Sequence, residues 1–202
     1  MKILIACEYS GRVRDAFLKK GHDAMSCDFL PTETPGPHYQ GDVFDIINNG
    51  FDMMIAHPPC TYLTYAGNRH WNLPGRFRKR LDAFDFFMKL YHSPIPQKAI
   101  ENPVGYVNKA FRKPDQIIEP YYFGDPVKKR TCLWLCNLPV LDHAPEDTLF
   151  MKKTHVKVKP FYYRPDGKAI HFTEAVCPGE NRAKIRSKTF LGIAAAMAEQ
   201  WG

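Results

Sequence analysis

The sequence predicts an α/β protein built on a mainly parallel sheet, and three observations lead there. Short apolar runs alternate with stretches of helical spacing through about the first half of the chain. The runs KILIAC and FDMMIA are apolar without interruption, as strands covered on both faces must be. Past residue 116 the alternation gives way to two strand-like runs around Gly124, Asp125 and Pro126, which predicts an antiparallel hairpin at the end of the sheet.

In chain order, KILIAC (2–7) is the first strand. In RVRDAFLKKGH (12–22), Val13, Ala16 and Phe17 fall at helical spacing and Gly21 supplies a stop. DAMSCDF (23–29) is the second strand and GDVFDI (41–46) a short third one. FDMMIA (51–56) is the fourth. Helical spacing returns in RKRLDAFDFFMKLYH (78–92), with Leu81, Phe84, Met88 and Tyr91 as its stripe. KAIEN (98–102) is the fifth strand. From Asn137 to about Lys184 the chain is rich in proline and polar residues, with weak periodicity. The last helix lies in SKTFLGIAAAMAEQWG (187–202), where Phe190, Ile193, Ala194, Met197 and Trp201 share a face and Ser187 is the candidate N-cap.

A chain of 202 residues suits one domain with a full core, and no repeat or low-complexity linker divides it. No apolar stretch reaches the roughly 20 residues of a membrane helix. MKILIACEYSG lacks the apolar length and cleavage site of a secretion signal, which points to the cytoplasm and to reduced thiols at Cys7, Cys27, Cys60, Cys132, Cys136 and Cys177. A net charge of +7 favours a polyanionic partner such as nucleic acid or nucleotide phosphate. Zinc is disfavoured: Cys132 and Cys136, four apart on a strand, are separated by about 13 Å, beyond the span of tetrahedral thiolates.

Ligands of a doubly wound sheet bind beyond the carboxyl ends of its strands. Those ends read CEYSG, CDF, GDV, HPPC and ENP. A lone cysteine is more often a buried structural thiol, and a lone glutamate a solvated strand end; the order of the set carries the information. Pro58-Pro59-Cys60 and Glu101-Asn102-Pro103 resemble the catalytic motifs of the carbon-5 cytosine methyltransferases, which read Pro-Pro-Cys and Glu-Asn-Val. Methyltransferases acting on exocyclic amines follow their prolines with an aromatic residue, where this chain has Cys60. The resemblance covers residues 1 to about 136 and resumes in the last helix. It implies a Rossmann-like sheet that binds S-adenosylmethionine, in a single domain spanning residues 1–202.

The resemblance implies roles for individual residues. Cys60 is the nucleophile that adds to carbon 6 of cytosine, on a turn that two prolines stiffen. Glu101 sits against ring N3 and the exocyclic amine, and Asn102 holds it and the substrate. Lys128 and Arg130 align with a basic pair whose arginine reaches the cytosine carbonyl, Arg130 being the better match; otherwise they are a basic turn. On the cofactor side, Glu8, Tyr9, Ser10 and Gly11 stand where the family has a glycine-rich loop. Gly11 is its one glycine here, serving either backbone approach to the methionine moiety or a helix start. Asp28 corresponds to the residue that bonds the ribose hydroxyls, with Phe29 against adenine. Asp42 reads the adenine amine, next to Val43, and Pro58 borders the cofactor.

Family members that methylate chosen DNA sequences carry a large recognition region before the last helix. Here residues 137–186 are a small irregular insertion in its place, as in a minimal bacteriophage-like enzyme. The substrate is accordingly DNA, or else single-stranded nucleic acid or a free cytosine nucleotide; a catalytically idle nucleic-acid-binding protein on this fold is the remaining alternative. TYAGNRHWNLPGRFRKR, after Cys60, interleaves Arg69, Trp71 and Arg76 with further basic residues, which suits phosphate contact and base stacking. The alternative is a solvated helix start with Trp71 as a core anchor. KKTHVKVKPFYYRPDGK is a second basic and aromatic segment.

Overall fold

The computed structural model describes residues 1–171, 175, 184 and 186–202, with the side chains of Ala66 and Arg69 left out. Cys177 and the Arg69 side chain therefore lie outside the described residues. The sheet is formed by β1 (Lys2–Ala6), β2 (Asp23–Asp28), β3 (His38–Gln40), β4 (Met53–Ala56), β5 (Gln97–Pro103), β6 (Gln116–Ile118) and β7 (Thr131–Cys136). Their spatial order is β3-β2-β1-β4-β5-β7-β6. The first five run parallel, and β7 is antiparallel to both β5 and β6. This is the mainly parallel α/β sheet with an antiparallel end that the sequence predicts.

Both faces are covered, which explains the uninterrupted apolar strands. Ile3 and Ile5 of β1 pack with Val13 and Phe17 of α1 (Arg12–Lys19) and with Ile193, Ala194 and Met197 of α4 (Leu191–Gln200). Leu4 and Ala6 point the other way, into a cluster with Phe87 and Leu90 of α2 (Arg76–Tyr91) and with Trp134. The Trp134 indole meets the Phe87 ring edge-on at 5.2 Å, and its Nε1–H donates to the Arg112 carbonyl. A short α3 (Val107–Ala110) follows β5. Among the described residues no helix is long and apolar enough to cross a membrane.

Five local expectations are corrected. The third strand is His38–Gln40, not 41–46, because the Asp42 carboxylate accepts from the Phe44 N–H and caps a 3-10 turn over Val43–Asp45. Leu81 is exposed, and the buried face of α2 is Arg80, Phe87 and Leu90, turned toward Trp134. Ser187 does not cap the last helix: its hydroxyl donates to the Lys184 carbonyl, while the Gly192 N–H donates to Asp125 Oδ2 from the β6–β7 connection. That connection is long, with a 3-10 turn at Pro120–Phe123 in place of a tight turn. The irregular insertion, finally, contains a two-stranded hairpin of β8 (Tyr162–Tyr163) and β9 (Ala169–Ile170).

The insertion is fastened to the β6–β7 connection by a histidine pair. His143 Nδ1 lies 2.7 Å from His155 Nε2, and both rings stack on Tyr122 at 4.5 and 4.6 Å. Burial pushes both imidazoles below their ordinary value; the His155 charge adds to this at His143 against Asp142, and Lys153 adds to it at His155. Folded values depressed below 6.5 mean that the pair stabilises the joint fully above pH 6.5 and progressively less below it. Exchange of the Thr154 and His155 amides, both donated to the Ala144 carbonyl, should accelerate below pH 6.5 after correction for intrinsic rates. Unchanged protection there would remove the histidine pair as the fastener.

Candidate active site

A cavity of about 270 Å³ opens at the carboxyl ends of β1 to β4, lined by Cys7, Cys27, Asp28, Phe29, Gly41, Asp42, Val43, Pro59, Ala83 and Phe86. It sits where strand order reverses between β1 and β4, the switch point of a doubly wound sheet. Its size is near the lower end of small-molecule sites, about 300 Å³. Asp28, Phe29, Asp42 and Val43 are brought together here. Pro59 lines the cavity in place of Pro58. Cys7, Cys27, Gly41, Ala83 and Phe86 are lining residues that sequence reasoning missed. Cys7 was legible as the residue after β1; it adopts φ 58°, in the left-handed region, which marks a strained position at a site.

Burial and, after it, the nearby carboxylates set the state of the two thiols in this cavity. Burial, then the Asp28 charge, pushes the Cys27 thiol up to about 12. Burial pushes Cys7 up as well, with Asp28, Cys27 and Asp42 adding to it. Both thiols are neutral at physiological pH, so the cavity presents two carboxylates and apolar walls.

The segment Glu8–Gly11 does not line this cavity. Glu8 is buried, and its Oε1 accepts from the Ser10 hydroxyl and the Val13 N–H while its Oε2 accepts from the Arg14 N–H. It is the N-terminal anchor of α1, using the orphan donors that begin every helix. The Tyr9 hydroxyl donates to the Lys184 carbonyl. Gly11 is the helix-start residue, at φ 72°, and a Cβ there would collide with Thr34 Oγ1 and the Arg14 guanidinium.

Glu101 and Asn102, consecutive on β5, point to opposite faces. Asn102 is fully buried, and its Nδ2 donates to the Pro58 carbonyl at 2.9 Å. It pins the Pro58-Pro59-Cys60 turn to β5. Glu101 faces a second cavity of about 10 Å³, room for one water, lined by His57, Lys129, Thr131, Thr189, Phe190, Ile193 and Met197. His57 Nδ1 stands 3.6 Å from Glu101 Oε2. Burial alone would raise the Glu101 carboxyl, but His57, the Lys129 charge and the Thr131 hydroxyl outweigh it and hold it below the usual range.

Cys60 is coupled to this group. Its surface is exposed, yet the protein crowds it closely, and this burial together with the Glu101 carboxylate raises the thiol above its ordinary value. Lys129 and Arg186 pull it back down. The resting thiol is protonated, with two cations near enough to favour its thiolate.

The expected basic partner is displaced by one residue. Arg130 has an exposed side chain whose Nε lies 3.7 Å from Glu119 Oε1, and Lys128 is exposed. Lys129 lines the Glu101 cavity instead. The register explains this: β5 and β7 pair Glu101 with Leu133 and Pro103 with Thr131. Alternate residues back from Leu133 share the Glu101 face, and a shift of one residue exchanges faces. The alternation of Leu133 and Leu135 with Cys132 and Trp134 was the available signal. His57, the missed residue of HPPC, follows the same rule, two along from buried Ile55.

The loop after Cys60 is bound down onto α2. Arg76 Nη2 donates to the Thr61 carbonyl at 3.1 Å, and its guanidinium covers the Tyr62 ring at 4.5 Å. Buried Arg80 donates to the Tyr62 carbonyl and to Asn68 Oδ1, with its guanidinium 4.2 Å from the Trp71 ring centre. Arg76 and Trp71 therefore both take part in holding the loop, while the Trp71 ring is also exposed. Gly105 completes the dock: the Tyr106 N–H donates to the Leu63 carbonyl, and a Cβ on Gly105 would strike that same oxygen.

No protein-family model matches the chain, and no curated protein matches its sequence. Among solved structures it is similar to a candidate DNA modification methyltransferase encoded within a prophage (E. coli), with a TM-score of 0.45 and 18% identity. The match covers 81% of this chain and 55% of that one, so the chain spans little more than half of that protein's length.

Proposed function

We propose that the protein transfers a methyl group from S-adenosylmethionine to carbon 5 of cytosine in DNA, through a covalent adduct with Cys60. The observation that carries this reading is the coupled set of Cys60, Glu101 and Lys129 at neighbouring strand ends, beside a cavity with paired carboxylates. The cavity's chemistry fits the cofactor. Asp28 and Asp42 suit the ribose hydroxyls and adenine amine, Phe29, Val43 and Phe86 suit a flat ring, and the negative field suits a sulfonium. When bound, S-adenosylmethionine supplies the electrophilic methyl that carbon 5 takes up.

The chain's own residues do the rest. The Cys60 thiol gives its proton to water and its sulfur bonds to carbon 6, while cytosine N3 takes up a proton from water, so that the ring's electron pair makes carbon 5 nucleophilic. Lys129 and Arg186 favour the thiolate. Glu101, held ionised, accepts from the exocyclic amine and balances the positive charge that develops as N3 gains a proton. After methylation water takes the carbon-5 proton, and the electrons of that bond re-form the carbon 5–carbon 6 double bond and expel the Cys60 thiolate. Reprotonation restores the thiol and N3 gives back its proton, so that one proton in all is released. Asn102 positions this chemistry through the Pro58 carbonyl.

Nucleoside mass spectrometry of DNA incubated with protein and labelled S-adenosylmethionine should find labelled 5-methylcytosine. Label on an exocyclic nitrogen, or none at all, sinks the reading; equal rates on free dCMP would move the substrate to a nucleotide. In the same assay Lys129→Met should impair turnover more than Arg130→Met, the reverse of the order expected from the motif.

A further inference from the structure

His57 follows β4 and opens the turn that leads to Cys60. Its backbone N–H donates to the Ala6 carbonyl of β1 at 2.9 Å, and the carbonyl of the next residue, Pro58, accepts from Asn102 Nδ2 on β5 at 2.9 Å. The imidazole is thus carried on backbone tied down at both sides. Its side chain is 7% exposed, and among the described residues neither Nδ1 nor Nε2 has a hydrogen-bond partner. A buried polar atom left unpaired forfeits its hydration with nothing in return. Such atoms are few in native proteins, and each calls for an explanation. An apolar side chain would fill this position without that penalty.

The surroundings of Glu101 supply the explanation. His57 Nδ1 lies 3.6 Å from Glu101 Oε2, a few tenths of an ångström beyond the usual length of an N–H···O bond. Among the described residues, the other polar groups around this carboxylate are Lys129 and Thr131 at the start of β7, Thr189 ahead of α4, and Cys60. α4 itself adds the apolar side chains of Ile193 and Met197. Lys129 brings a point charge on a flexible stem, which stabilises the carboxylate without fixing its orientation. An N–H on a planar ring, carried by pinned backbone, fixes the orientation as well. Bonds of this kind are often long before the substrate arrives and tighten around it.

We propose that His57 is a positioning residue for Glu101: as the target base enters, its Nδ1–H closes on Oε2 and turns Oε1 toward the cytosine amine. The role rests on the reading that Cys60 and Glu101 act on cytosine. A donor held ready before the base arrives needs no reorganisation when charge develops on the ring, which is what the unpaired nitrogen provides. Cys60 stands three residues further along the same pinned turn, so nucleophile and positioning group share one rigid segment.

The test compares His57→Phe, which keeps a ring and removes both nitrogens, with His57→Asn, whose amide nitrogen can stand near the Nδ1 position. In the full chain with isotope-labelled glutamate carboxyls and no substrate, the Glu101 signal is identified by its loss in Glu101→Gln and reports ionisation by NMR. Because burial raises this carboxyl and His57 opposes it, Glu101 should ionise at higher pH in His57→Phe than in the parent, and His57→Asn should return it toward the parent. Single-turnover methylation of a saturating cytosine-containing oligonucleotide should fall by about tenfold to a hundredfold in His57→Phe, the worth of one hydrogen bond to a charged group. His57→Asn should recover most of that loss. Melting temperatures should stay close to the parent's, since neither ring nitrogen is hydrogen-bonded in the free protein. Parental ionisation and turnover in His57→Phe would overturn the proposal, as would a His57→Asn variant no better than His57→Phe. The two readings fail separately. A parent that transfers no methyl group while Glu101 ionisation still follows His57 refutes methyl transfer alone. An active parent in which both readouts ignore His57 refutes the positioning role alone.

Discussion

Cys60→Ser will lower methyl transfer by about 10³-fold or more, the scale seen when a covalent nucleophile is removed, while S-adenosylmethionine binding is retained. A serine hydroxyl is close in size, so the Pro58-Pro59 turn and its bond from Asn102 are kept. What is lost is the readily ionised, polarisable sulfur. Because burial and Glu101 raise the Cys60 thiol above its ordinary value of 9.0, the thiolate fraction at neutral pH is small and grows with each step upward. Single-turnover rates of the parent should therefore climb with pH through and beyond neutrality. Lys129 opposes the rise, so Lys129→Met should move that profile to still higher pH and lower the neutral rate. Full turnover in Cys60→Ser, or a profile indifferent to pH and to Lys129, would exclude the thiol from the reaction.

Arg14→Met will destabilise the fold by about 3 kcal/mol, mostly through the loss of several hydrogen bonds made by a buried charged group, at about 1.5–3 kcal/mol for each such bond before relaxation, since Asp15 itself is partly exposed. The Arg14 side chain is fully buried on α1. Its Nη1 donates to Ser26 Oγ and Thr32 Oγ1, and its Nη2 to the carbonyl and hydroxyl of Thr34. Its Nε donates to Asp15 Oδ1 at 2.8 Å. Methionine fills much of the volume but removes all of these bonds at once, leaving the Thr34 carbonyl with only its bond from the Thr32 hydroxyl and Asp15 without its counter-charge. For a chain of this length the melting temperature should drop by about 6–12 °C. The loss reaches the site as well, because Arg14 holds down the loop that follows Asp28 and Phe29 on the cavity wall, so cofactor affinity should weaken in parallel. Arg14→Lys should recover little, since an ammonium cannot reproduce the planar fork. A Met variant melting with the parent would show that the loop is held by its own threonines and prolines.

Much of the fold was legible because periodicity and burial coincide. Ile3, Leu4 and Ile5 alternate between two covered faces, so an unbroken apolar run had one reading. Asp28, Phe29 and Asp42 were legible for a related reason: a parallel sheet delivers the residue after each strand to the same edge. Where side-chain chemistry competed with the pattern, reading failed. Asp42 looked like the start of a strand and proved to be a cap, and Glu8 looked like a cofactor residue and proved to be the anchor of α1. In both, a short carboxylate met backbone N–H groups a few residues on, an interaction that apolar spacing does not register.

The sequence by itself determined that the strands of the first half run parallel and which groups stand at their carboxyl ends, since both follow from local periodicity and chain direction. Only the tertiary structure decided that Lys129 rather than Arg130 faces Glu101, that Arg76 and Trp71 tie down a loop, and that Arg14 is buried. Each of these depends on cross-strand register or on a segment distant in sequence folding over a side chain, and one residue's slip in pairing exchanges the two faces of a strand while leaving its composition unchanged.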